Sequence, residues 1–132
     1  MGAQLNPRPR RSKLAALARG RHAENWAALW LLLKGYRIVA RRRKSRAAGA
    51  GEIDIIARKG GILAFIEVKA RPDHLAASLA VTARQRQRLS RGAAAFLAGR
   101  PDLAGLAARF DAMLIAPGHW PRHMIDAWRD GG

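Results

Sequence analysis

The stretch GEIDIIARKGGILAFIEVKA, residues 51–70, constrains this fold more than any other part of the chain. Two runs rich in isoleucine, phenylalanine and valine flank Lys59, Gly60 and Gly61, the pattern of two strands joined by a hairpin. Side chains alternate across a strand, so Glu67 and Lys69 share one face and Ile66 and Val68 the other. If Arg58 pairs with Leu63 around a four-residue loop, Asp54 lies opposite Glu67 on that shared face. A slip of one residue destroys the match.

Two carboxylates held side by side repel unless a cation or a shared proton lies between them. Oxygen ligands completed by water suit Mg²⁺ or Mn²⁺, which would activate water and stabilise negative charge in a transition state. Lys69 would then lie beside the metal, able to meet a phosphate or orient the attacking water. The alternative is an ion-pair ladder on a solvated face. The apolar neighbours in IDII and FIEV weigh against it, since they read as strands covered on both sides.

The rest of the chain supplies helices and strands for one domain. Lys13–Lys34 reads as a helix with Ala23, Trp26, Ala27, Trp30 and Leu33 on its apolar stripe, stopped by Gly35. A first strand starts at Tyr36, and residues 44–51 form a basic, small-residue loop. After an irregular segment, a second helix begins with Thr82 and Gln85 as a capping box, carries Leu89, Ala93, Phe96 and Leu97, and ends near Gly99. Phe110–Ala116 is a further strand, and residues 123–125 are a candidate for another. The expected architecture is α/β, in the order αβββαβ, with a mixed central sheet flanked by helices. The helix between the third and fourth strands makes that pair parallel. Residues 1–12 read as a flexible basic arm and 13–132 as a single domain.

The longest apolar run, Trp26–Leu33, is eight residues and too short for a membrane span. Without cysteine or a secretory apolar core, the expected compartment is the cytoplasm. The 132-residue chain has 25 Lys and Arg against nine Asp and Glu, a formal charge of +16, which points to a polyanion. Only five of those basic residues are lysines, so Lys69 is an uncommon choice here.

The Asp54 strand followed by Glu67-x-Lys69 resembles the PD-(D/E)xK nuclease superfamily, whose members share a restriction-endonuclease-like core. More narrowly, HAEN, KGYRIVARR, GEIDIIA, FIEVKAR and RFDAMLI resemble the YraN-like bacterial family over about residues 13–128. The resemblance implies a metal-dependent endonuclease, with branched or structured DNA, as for Holliday-junction resolvases, a candidate substrate. It makes Asp54, Glu67, Lys69 and Glu24 the catalytic set, and Asp54, Glu67 and the Val68 carbonyl the ligands of Mg²⁺ or Mn²⁺. Gln85 stands where relatives often carry lysine. Glu52 reads as a solvated acid at the strand mouth. Asp111 is open to pairing with an arginine, and His22, His74, His119 and His123 show no ligand spacing.

The nucleic-acid contacts expected are Arg41, Arg42, Arg43, Lys44 and Arg46 after the first strand, with Arg84, Gln85 and Arg88 on the second helix. Arg8, Arg10 and Arg11 in the arm and Arg91 on the helix add charge. DNA is the expected partner, with RNA and a homodimer left open. Trp26 and Trp30 read as core, and Trp120 and Trp128 as unassigned. A binding module without turnover is the rival function, since a fold does not fix an activity.

Overall fold

A computed structural model describes residues 8–45, 49–72 and 81–128, with side chains from Gly20 onward. The order is α1 (Arg8–Leu33), β1 (Arg37–Arg43), β2 (Ile53–Lys59), β3 (Ile62–Ala70), α2 (Ala83–Ala98), a 3₁₀ turn at Pro101–Leu103, β4 (Ala107–Ile115) and β5 (Arg122–Trp128). The strands form one five-stranded sheet in sequential order. Neighbours run antiparallel except β3 and β4, which α2 joins in parallel. This is the expected α/β class with a mixed sheet.

Alternation along β3 splits the core in two. Leu63 and Phe65 pack under α2 with Ile53, Leu89 and Phe96. Ala64 and Ile66 pack under α1 with Ala27, Leu31 and Met113. Each fully buried Leu, Ile or Phe contributes about 1.5–3 kcal/mol, so these two layers fasten the helices to the two faces of the sheet.

Helix α1 begins at Arg8, earlier than Lys13, because Pro9 lies in the first turn, where backbone N–H groups lack helical partners anyway. Its buried stripe is Ala23, Ala27, Ala28 and Leu31, whereas Trp26 and Leu33 are 51% and 72% exposed. The expected stripe was therefore rotated. Alanine lets the helix lie close on Ala57 and Ala64, and a tryptophan in that seam would hold it away. Gly35, at φ 93°, closes the helix, with the Tyr36 N–H donating to the Leu31 carbonyl at 2.9 Å.

In the β2–β3 hairpin Arg58 pairs with Leu63 as expected, and Lys59 also pairs with Ile62. The turn is thus two residues, Gly60 and Gly61, with Gly60 at φ 58°. Thr82 and Gln85 close the capping box of α2 in both directions, at 3.1 and 3.0 Å. Glycine at 92 brings α2 close to β2, since a Cβ there would meet the Gly51 carbonyl at 3.1 Å.

Asp111 is fully buried on the α1 side and does find an arginine: Arg109 donates through Nε and Nη2 at 2.8 and 2.7 Å. It also accepts the Asp126 N–H at 2.9 Å, where β5 shifts register and Asp126 takes φ 55°. Burial pushes this carboxyl up, but the bonds from His123 and Arg109 hold it below the usual range. Lys34 Nζ lies 2.6 Å from His123 Nδ1, and a lysine only donates, so His123 Nε2–H donates to Asp111 at 2.8 Å. This network pins β5 and the end of α1 to β4. Among the described residues no helix is long and apolar enough to cross a membrane.

Candidate metal-binding acidic site

Asp54 sits on β2 just where the ladder with β3 ends. The last paired residues are Ile55 and Ile66, so the next step sets Asp54 opposite Glu67 as the register predicts. In place of a ladder bond, the Val68 N–H donates to Asp54 Oδ2 at 2.8 Å. A strand residue turns its N–H and carbonyl to the same edge, so the Val68 carbonyl also faces this side.

Asp54 gathers further acids around it. Carboxylate oxygens of Glu24, Glu52 and Asp54 all lie within 4.8 Å of one another. Burial, followed by the charge of Glu67, raises the Asp54 carboxyl to about 7. The Val68 hydrogen bond opposes that rise, and Glu24 and Glu52 add to it. Burial likewise raises Glu67, with Lys69, Arg88 and Arg71 pulling it back. Lys69 is 5% exposed, an inward placement that a lysine on a solvated ion-pair ladder would not take.

Glu52 is the solvated acid expected at the strand mouth. It is exposed, as a solvated acid would be, yet it closes the acid cluster, whereas Glu67 stands beside that trio. Two residues before Asp54, it emerges on the same face, which is what brings it to the other acids. The donor set is all oxygen and carries net negative charge, and it fits Mg²⁺ or Mn²⁺. Among the described residues no histidine joins it, and the chain has no cysteine, so these donors fit zinc less well.

The basic residues divide. Arg42 Nε donates to Glu24 at 2.6 Å, and Arg41 Nη2 to Asn25 at 2.6 Å, so both expected phosphate contacts are engaged by α1. Arg42 does this from φ 50°, a backbone region costly for arginine. Arg43 lies with its guanidinium 5.6 Å from the Phe96 ring centre. The Gln85 side chain serves the helix cap. Lys44, Arg84 and Arg88 are exposed, and Arg88 acts on Glu67. Arg46 and His74 lie outside the described residues, as do the side chains of Arg8, Arg10 and Arg11.

The profile of the uncharacterised protein family UPF0102 matches residues 23–115, a span that carries Glu24, Glu52, Asp54, Glu67 and Lys69. A UPF0102 protein of Paramagnetospirillum magneticum is 54% identical over 122 residues, covering 92% of this chain and 95% of its own. UPF0102 proteins of Parvibaculum lavamentivorans and Methylobacterium nodulans are 53% and 50% identical, covering 88% and 89% of this chain and 85% and 89% of theirs. Matched across most of its length, and including the YraN-like segments read from its sequence, the chain belongs to the UPF0102 family.

Proposed function

We propose that this protein is a metal-dependent DNA endonuclease with a restriction-endonuclease-like core, acting on branched or structured DNA. The observation that carries the reading is the convergence of Glu24, Glu52 and Asp54 within 4.8 Å, beside Glu67 and a buried Lys69. Asp54, Glu52 and Glu24 would hold Mg²⁺ or Mn²⁺, with Glu67 and the Val68 carbonyl adjoining. Bound there, the cation supplies charge stabilisation for a phosphoryl group and an acidified water.

The chain's own residues do the remaining work. Lys69 offers a cationic donor at the strand end, where it can neutralise a phosphate oxygen. The Val68 N–H fixes the orientation of Asp54, which keeps the acid pointed at the cluster. Held near 7, Asp54 gives up its proton when a cation arrives. Arg88, Arg84 and Lys44 contact the phosphate backbone outside the acids and select no sequence.

One observation favours the rival, a binding module without turnover: Arg42 pairs with Glu24, and the Val68 N–H with Asp54, so two of the acids have partners without a metal. Cleavage of linear duplex, single-stranded, flap and four-way-junction DNA in Mg²⁺ or Mn²⁺ separates the two. Cutting that requires metal and disappears in Asp54→Asn supports the nuclease. Binding by both proteins with no cutting of any substrate supports the module.

A further inference from the structure

A groove of about 910 Å³ opens at the edge where β3 and β4 end, between α1 and the turn that joins β4 to β5. Its walls include Trp26 and Trp120, which stay 51% and 74% exposed. Exposed tryptophans lining one cleft are costly in water, and such surface marks a binding site more often than a neutral exterior. Trp120 is held in place: its ring stacks on Trp30 at 5.6 Å with 29° between planes. Pro117 and Pro121 bracket its turn and fix two backbone angles.

Charge narrows the occupant. Besides apolar residues the lining among the described residues contains Arg71, His22 and His119 and no carboxylate. On a chain of net charge +16, a second copy would bring like charge to this face. An aromatic ligand attached to an anion meets both features. The groove also adjoins the acids: His22 and Ala23 precede Glu24 on α1, and Ala70 and Arg71 follow Lys69. Arg71 lines the groove and its charge reaches Glu67, so it belongs to both places.

We propose that the groove is a stacking site for unpaired nucleobases of single-stranded nucleic acid, with Trp26 and Trp120 against the bases and Arg71 on the adjoining phosphate. The site rests on the nuclease reading only for its purpose, which is to seat the unpaired arm of a branched substrate beside the acids. Volume allows more than one base, since drug-sized ligands occupy clefts of about 300–1,000 Å³.

The test measures binding by fluorescence anisotropy in EDTA, where cleavage plays no part. A labelled oligothymidylate is compared with an oligomer of the same length bearing abasic sites, using wild type, Trp120→Ala and Trp120→Phe. The proposal expects Trp120→Ala to weaken oligothymidylate binding about tenfold, to leave abasic binding unchanged, and Trp120→Phe to recover most of the loss. Equal affinity of the wild type for both oligomers overturns it, as does an equal loss on both in Trp120→Ala. Sedimentation of the same proteins adds an arm: a wild-type dimer that Trp120→Ala converts to monomers, with base-dependent binding intact, assigns the groove to self-association and overturns the proposal. Failure of Mg²⁺-dependent cutting leaves these binding results standing, so the two readings fail separately.

Discussion

Replacing Asp54 by asparagine should make the metal-free protein more stable at neutral pH. Asparagine keeps an oxygen to accept the Val68 N–H and removes a charge from among Glu24, Glu52 and Glu67. The folded carboxyl sits at about 7 against an ordinary 3.8. Between those values the folded state holds a proton that the unfolded chain has released, so stability falls as pH rises and levels off above the folded value. At about 1.4 kcal/mol per pH unit the full interval is worth about 4 kcal/mol. Urea unfolding in EDTA from about pH 4 to pH 8 should show the advantage of Asp54→Asn over wild type growing by roughly that amount. Saturating Mn²⁺ should raise wild-type stability at pH 8 and leave the variant unmoved. An advantage that stays constant with pH, or that shrinks as pH rises, would show that the folded Asp54 carboxyl is not raised.

Asp111→Ala strands Arg109 and opens the β5 register shift, and should cost about 3–5 kcal/mol by urea unfolding. Phe65→Ala empties the layer between Phe96 and Phe110 and should cost about 3–5 kcal/mol in the same assay. DNA affinity in EDTA should fall steeply with salt, and Arg88→Ala should lower the slope of log affinity against log salt by about one.

The hairpin register was legible because alternation and a Gly-Gly turn leave little freedom, and it carried Asp54, Glu67, Val68 and Lys69 to one strand end. The α2 cap was legible for a similar reason, since Thr82 and Gln85 satisfy each other locally. The orientation of α1 was not. Tryptophan and alanine both count as apolar, and only the closeness of Ala57 and Ala64 decides which of them faces the sheet. That rotation placed Trp26 in water and left Trp30 free to stack on Trp120, a pairing between residues far apart in sequence. The exposure of Glu52 was legible from its place at the strand mouth, but its approach to Glu24 was not, because that acid comes from a distant helix. The pairing of Arg41 and Arg42 was not legible, because nothing local announces that Asn25 and Glu24 will face them.

Single-turnover cleavage of a labelled four-way junction in Mn²⁺ asks whether the acids at the end of the β2–β3 hairpin catalyse. It compares wild type with Glu24→Gln, Glu52→Gln, Asp54→Asn and Glu67→Gln, and with Asp102→Asn as the control acid. Asp102 pairs with Arg100 at the surface and stands outside the cluster. Each of the four acid variants should lose about 100-fold or more, and Asp102→Asn should cut like wild type. Cutting that persists in Asp54→Asn, or that is absent from the wild type, contradicts a catalytic role for these acids.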